Sequence, residues 1–251
     1  MSCIGFLGTG HIAAPMARFL SRTGHDIIVS ERSAGVAAEL AAKHGATVAA
    51  NQAVLDRAEI VFLCLRPEIA EEVISGLSFR PDQRIVSVIA GLSLATLKRI
   101  CAPAADITMT IPLGFLEQGG CPLPAFPEPD LLYRLFAPEN PVIPIRDERA
   151  FNMHFAICAM VPGLLDLMAC GADWLGRETG DAKAAEFYTA QLVSGFLAVM
   201  GRDPGTLAAE RDALATPGSL SLQMTDALRA GGAHAALRGA LEAIGTGLGD
   251  S

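Results

Sequence analysis

Lysine is scarce in this 251-residue chain: Lys43, Lys98 and Lys183 are its only three, and no basic run occurs. With 27 acidic against 19 basic residues the formal net charge is −8. That balance argues against nucleic-acid and anionic-membrane partners and for a small-molecule substrate. Paired cysteine spacing is also missing. Cys3, Cys64, Cys101, Cys121, Cys158 and Cys170 form no CxxC, and the five histidines make no ligand motif with them. No metal site is expected, and the cysteines read as reduced core thiols of a cytoplasmic protein. A basic leader is lacking too, because "MSCIGFLGTG" enters a strand at once, so no export signal is expected. The one long apolar run, "FAICAMVPGLLDLMAC", has 16 residues (155–170) and contains Pro162 and Asp166. It is too short to span a bilayer and reads as a helix buried between subunits.

What is present is core: 51% of the chain is hydrophobic and only 18% charged. Up to about residue 145, short apolar runs ("CIGFL", "DIIVS", "EIVFLCL", "RIVSVI", "ITMTI") alternate with amphipathic segments ("IAAPMARFLSR", "AGVAAELAAKHG", "EIAEEVISGL", "LATLKRI"). This alternation predicts an α/β fold whose N-terminal part is a Rossmann-like doubly wound sheet. "CPLPAFPEPD" predicts an edge strand and a turn, and "PVIPI" (141–145) a last short strand. Beyond Asp147 apolar residues recur only at helical spacing, through 148–178, 181–201, 204–214 and 216–247. The expected organisation is an α/β domain over 1–146 and an all-helical domain over 147–251. So apolar a helical half cannot bury its own surface, which predicts a homodimer or larger assembly built through it.

The first strand runs into Gly8-Thr9-Gly10-His11-Ile12-Ala13, a GxGxxA turn that opens a helix. In that context Gly8 makes the tight turn, Gly10 admits a pyrophosphate to the helix start, and the site takes NAD or NADP. The second strand ends Ser30-Glu31-Arg32, with Glu31 placed for the ribose hydroxyls of NAD and Arg32 for the 2′-phosphate of NADP. Near the other end, "ATPGSLSLQM" (215–224) crowds a helix start with small residues. Capping explains them in part: Thr216 as N-cap, Pro217 at the first helical position, and Leu220, Met224 and Leu228 on one buried face. Free amides, Gly218 and the hydroxyls would also seat a carboxylate. Ser221, read as lying on the second turn beside Thr225, is not needed for the cap.

Taken together, the glycine turn, "VFLCLRPE" (61–68), "IVSVIAGLSLATLKRI" (85–100) and "RDALATPGSLSLQMTDALRAGG" (211–232) resemble pyrroline-5-carboxylate reductase over nearly the full chain. Leu65, Arg66, Pro67 and Glu68 match the family's Val-Lys-Pro-Gln-like turn, which with Cys64 before it would border the cofactor. Ala90 and Gly91 match its Ala-Gly, and Asn51 falls where it has an asparagine beside the adenosine. The stretch from Arg211 to Ser221 matches Arg-Asp-x-Val-x-Ser-Pro-Gly-Gly-x-Thr. The resemblance implies hydride transfer from NAD(P)H to the C=N carbon of a cyclic imine carboxylate, between the cofactor and an interlocking helical domain. Thr216, Pro217, Gly218, Ser219, Leu220 and Pro112 would contact substrate, and Ser221 would bond the ring nitrogen. Hydride transfer of this kind needs positioning and a dry pocket, with water as proton source. Departures are visible: Thr108-Met109-Thr110-Ile111-Pro112 stands for Met-Pro-Asn-Thr-Pro, Cys158–Leu164 for Ser-Gly-Ser-Gly-Pro-Ala-Tyr, and Ser219 for glycine. They predict a more apolar pocket, with Met153, Met160 and Met168 read as core or pocket lining rather than as chemical groups.

Two rival readings remain at this point. "APMA" (14–17) resembles β-hydroxyacid dehydrogenases, whose lysine has no counterpart between Lys98 and Lys183. The altered pocket motifs would also suit a non-catalytic dinucleotide-binding protein.

Overall fold

The computed structural model describes residues 1–203 and 205–249. The described chain forms two compact units, one of residues 1–155 with 245–249 and one of residues 156–244. The first carries an eight-stranded sheet in the order β3-β2-β1-β4-β5-β6-β7-β8. Its strands are β1 (Cys3–Leu7), β2 (Asp26–Ser30), β3 (Thr47–Ala49), β4 (Ile60–Leu63), β5 (Arg84–Ser87), β6 (Asp106–Thr110), β7 (Leu123–Phe126) and β8 (Val142–Pro144). Pairing is parallel throughout except between β6 and β7. The connecting helices are α1 (Ala13–Arg22), α2 (Ala34–His44), α3 (Asn51–Arg57), α4 (Pro67–Ser75), α5 (Leu94–Ile100) and α6 (Asp130–Phe136). The order 3-2-1-4-5-6 of the first six strands is the doubly wound arrangement that the alternating pattern predicts. "CPLPAFPEPD" is corrected in one respect: its strand β7 is interior, and β8 takes the edge.

Strands covered on both faces need uninterrupted apolar runs, and β1 and β4 supply them. Phe6 and Phe62 are fully buried and stack at 4.9 Å, and Phe136 of α6 meets Phe62 edge-on at 6.2 Å and Phe19 of α1 at 5.7 Å. Helix α3 lies so close to β1 that a Cβ on Gly5 would meet Val54 Cγ1 at 2.7 Å and Ala58 Cβ at 2.8 Å. The last carbonyls of this helix are satisfied from outside it. Arg80 donates to the carbonyls of Leu55, Asp56 and Ala58, and buried Gln83 to those of Leu55 and Ala58. Arg18 and Arg22 of α1 both donate to Glu117, at 3.0 Å each.

After β8 the chain is helical: α7 (Glu148–Cys158), α8 (Met160–Thr179), α9 (Ala182–Val199), α10 (Thr206–Leu214), α11 (Leu220–Ala230) and α12 (Ala233–Gly249). The compact units divide later than the change of pattern at Arg146, because Phe151 is buried against Phe126 and Phe155 at the start of α7. The predicted segment 148–178 is interrupted at Ala159, and 216–247 breaks at Gly231 and Gly232, the latter with φ +80°. The predicted start of 204–214, Pro204, lies outside the described residues. Helices α8 and α9 form a hairpin whose turn uses Gly180 at φ +76° and Asp181 as N-cap, its carboxylate accepting from Ala184 N–H at 3.0 Å.

In the second unit the buried hydrophobic residues described are all alanines, Ala156, Ala172 and Ala185, whereas Val199, Leu220, Phe187 and Trp174 are 83%, 81%, 68% and 61% exposed. The face of Leu220, Met224 and Leu228 expected to be buried is therefore open within one chain. The helical run 148–179 is longer than the 155–170 stretch in the sequence reading and is long and apolar enough to cross a membrane. Only 11% of its most apolar window is buried.

Gly5→Ala should destabilise the first unit by about 1–3 kcal/mol, since the added methyl has no room between β1 and α3. Thermal unfolding would show this as a drop of about 2–4 °C per kcal/mol.

Candidate dinucleotide site

At the carboxyl ends of β1, β2, β4 and β5 the first unit opens into a cleft of ≈ 570 Å³. Strand β1 ends at Leu7 and turns at Gly8, whose φ is +91°. A Cβ there would also lie 2.4 Å from the carbonyl oxygen of Cys64, so both the dihedral and the close approach of the β4 end demand glycine. Gly8 N–H donates to the Ser30 hydroxyl at 2.9 Å, and the Thr9 hydroxyl donates to the Ser30 carbonyl at 2.6 Å. These bonds fix the turn to the end of β2. They also correct the role expected of Ser30, which is fully buried beneath the turn and positions it. Thr9 borders the cleft, but its 1% exposure and committed hydroxyl leave mainly its backbone for a ligand.

Gly10 is different in kind. Its φ is not positive, and a Cβ built on it meets nothing within 4 Å. Packing within the chain gives no reason for glycine, and the open space above Gly10 belongs to the cleft. The ladder of α1 begins with Ala14 N–H donating to Gly10 C=O at 3.0 Å, so the amides of His11, Ile12 and Ala13 precede it. This is a cradle for a pyrophosphate, with free N–H groups at the positive end of a helix. The residues present therefore fit a dinucleotide.

Of the predicted cofactor residues, Gly8, Thr9, Gly10, His11, Ile12, Ala13, Arg32, Cys64, Leu65, Arg66, Pro67 and Ala90 all line this cleft. Glu31, Asn51 and Gly91 do not. Glu31 lies exposed beside the cleft, Asn51 opens α3, and Gly91 takes φ +77° in the turn after Ala90. Ser33, Ile69 and Val88 line it without having been singled out. Ser33 immediately follows Arg32, and Val88 follows the last residue of β5, so their places at strand ends were the available signal. The lining holds two arginines and a histidine but no acid. Arg32 and Arg66 are exposed, and their guanidinium groups make no hydrogen bond or ion pair among the described residues. Cys64 sits where burial pushes its thiol far above its usual range, so it is a neutral part of the wall.

The predicted substrate residues fall on other elements. Pro112 is buried just after β6 and does not border the cleft, and Thr110 is fully buried with its hydroxyl unpartnered among the described residues. In the second unit the start of α11 differs from expectation. Ser219 N–H donates to Thr216 C=O at 3.0 Å across Pro217 and Gly218, whose φ is +80°. Pro followed by a left-handed Gly makes a type II turn, so Pro217 belongs to that turn and the helix begins at Leu220. The cap is Ser219, which accepts from Leu222 N–H at 3.1 Å, and not Thr216. Ser221 is consequently on the first turn rather than the second. Its carbonyl accepts from the Thr225 hydroxyl at 2.9 Å, and its own hydroxyl is exposed and unbonded among the described residues.

Gly8→Ala should cost about 2 kcal/mol or more of stability, through both strain and overlap. Gly10→Val should leave the melting temperature unchanged and weaken nucleotide binding at least ~10-fold, about 1.4 kcal/mol, by calorimetric titration. A Gly10→Val protein that binds nucleotide normally would remove the ligand from this cradle.

Residues 3–91 match the family described as NADP oxidoreductase coenzyme F420-dependent. Pyrroline-5-carboxylate reductase 3 of Danio rerio is 26% identical over 257 residues, covering 96% of this chain and 88% of that protein. The 1-pyrroline-5-carboxylate reductase of Streptococcus pyogenes superposes with TM-score 0.79 at 22% identity, covering 100% of this chain and 99% of the other. The Plasmodium falciparum pyrroline carboxylate reductase with NADP bound superposes at 0.78 with 15% identity, covering 98% and 97%. The chain is similar in sequence to pyrroline-5-carboxylate reductases over 96% of its length and shares the fold of the solved ones.

Proposed function

We propose that this protein is a soluble, cytoplasmic NAD(P)H-dependent reductase of a carbon–nitrogen double bond, with a reaction like that of pyrroline-5-carboxylate reductase. The observation that carries this reading is the open cradle above Gly10, in a chain similar to those reductases from end to end. NAD(P)H, when bound, supplies the hydride for the C=N carbon. The chain's own residues then have limited tasks, consistent with a reaction that needs mainly positioning. The amides after Gly10 hold the pyrophosphate, and the apolar wall of Ile12, Cys64 and Leu65 excludes water. In this reading the residues from Thr216 to Leu220, with Pro112, contact substrate, and the free hydroxyl of Ser221 bonds the imine nitrogen while water provides the proton.

Arg32 lines the cleft and Glu31 does not, which supports NADP over NAD as the working cofactor. An unpaired guanidinium gains a charge-assisted bond from a 2′-phosphate, whereas a ribose hydroxyl offers it little. NADPH and NADH oxidation should be followed against a panel of cyclic imines that includes pyrroline-5-carboxylate. Turnover is expected, and Arg32→Ala should raise KM for NADPH about 10-fold, the loss of one charge-assisted contact, while altering that for NADH far less. Nucleotide binding without turnover of any imine would instead favour a non-catalytic dinucleotide-binding protein.

The exposed apolar surface of the helical unit supports a homodimer or larger assembly. Met160, Leu164 and Leu167 of α8 and Leu237, Leu241 and Ile244 of α12 line an apolar groove of ≈ 450 Å³, suited to a second copy's helix. Light scattering without detergent should give at least a dimer, with an interface on the order of 2,000 Å². A monomer at micromolar concentration, or a protein that sediments with membranes, would overturn this.

A further inference from the structure

The start of α11 has the composition of an anion seat, but its amides are largely taken by the chain itself. Pro217 has no N–H, Ser219 N–H is bonded to Thr216 C=O at 3.0 Å, and Gln223 N–H to Ser219 C=O at 3.2 Å. Leu222 N–H, which would face a bound carboxylate at the third helical position, is held by Ser219 Oγ at 3.1 Å. Only the Leu220 and Ser221 amides remain from the first turn. No charged side chain lies between Asp212 and Asp226 in the sequence. The nearest preceding cation, Arg211, is paired with Asp212 at 2.6 Å. Leu220 stands at the first helical position with 81% of its surface exposed, presenting an apolar rather than a polar group.

Resting on the imine-reductase reading above, we propose that Ser219 fills the anion seat with its own hydroxyl. The enzyme accordingly reduces cyclic imines that lack a carboxylate at least as well as those that carry one. An incoming carboxylate must displace Ser219 Oγ from the Leu222 amide to gain a third donor from the first helical turn. With two amides of the first turn and no charged side chain between Asp212 and Asp226 in the sequence, it is otherwise held by a helix terminus alone, which is weak. A neutral imine needs no seat. Its nitrogen requires one hydrogen-bonding group, and the Ser221 hydroxyl is unbonded. Ser219 is thus a specificity-determining residue that acts through the Leu222 amide.

The test compares kcat/KM for 1-pyrroline and for pyrroline-5-carboxylate in the wild type and in Ser219→Gly and Ser219→Thr. Glycine is a tolerated N-cap and frees the Leu222 amide, whereas threonine keeps the cap. Folding of each variant is checked by its melting temperature. The wild type should show a ratio of 1-pyrroline to carboxylate of 1 or more. Ser219→Gly should move that ratio about 10-fold toward the carboxylate, chiefly through a lower KM, as expected when one charge-assisted hydrogen bond is gained, and Ser219→Thr should stay near the wild type. A wild-type ratio below 1, or a Ser219→Gly ratio that does not move, overturns the assignment of Ser219. Failure to reduce either imine while NADPH binds overturns the reductase reading itself.

Discussion

The left-handed turn at Gly8 is the constraint from which the geometry of the nucleotide cleft follows. Strand β1 must end under the carbonyl of Cys64, at a distance where any Cβ would overlap, and must reverse with φ +91°. Both conditions are met only by glycine. Once met, the amide of Gly8 is directed to Ser30 and the Thr9 hydroxyl to the Ser30 carbonyl, so the ends of β1 and β2 become one rigid edge. Helix α1 then starts with its amides toward the cleft. Its other face is held by Phe19 on Phe136 and by Arg18 and Arg22 on Glu117. The stacked pair Phe6 and Phe62 sits in the two strands on either side of the switch point, so the core and the cradle are built from the same residues of β1 and β4.

Charge is distributed with the same economy. A chain with net charge −8 should repel a phosphate-rich ligand at long range, yet its cleft lining contains Arg32, Arg66 and His11 and no carboxylate. Glu31 and Glu68 flank the two arginines in sequence but stay out of the lining. An arginine already paired with an acid would have to break that pair before meeting a phosphate, whereas an unpaired one loses only water. The two cleft arginines are in the second condition, unlike Arg18, Arg22 and Arg99 elsewhere on the unit, which hold carboxylates at 3.0, 3.0 and 2.6 Å.

Much of this was legible in the sequence. Parallel strands buried on two faces leave continuous apolar runs, and a glycine turn after the first of them has one common use, so the doubly wound class and most of the cleft lining followed from local pattern. Other features depend on relations that periodicity does not carry. Nothing local distinguishes Ser30 as a support from Ser30 as a ligand contact, because the difference is a bond to Gly8 across 22 positions. The interior place of β7 is likewise set by pairing on both sides, and its prolines argued the other way. At the start of α11 the error was of register. Thr216 and Ser219 are both good caps, and Pro217-Gly218 can open a helix or form a type II turn before one. The left-handed Gly218 selects the second arrangement and moves the helix start to Leu220.

That shift links the two problems posed by the helical unit. With alanines as its only buried hydrophobic residues described, the unit has almost no core of its own, and its large apolar side chains need a partner surface. Helix α11 contributes to both demands. Leu228 lines the apolar groove with α8 and α12, while the cap and first turn of the helix present Ser219 and Ser221. A second copy seated in the groove would anchor the carboxyl half of α11 through Leu228 and leave its start free to be adjusted by one side chain. The cap at Ser219 makes that start self-sufficient: it satisfies an amide that a ligand would otherwise have to satisfy. Order at the helix start therefore does not depend on a bound ligand.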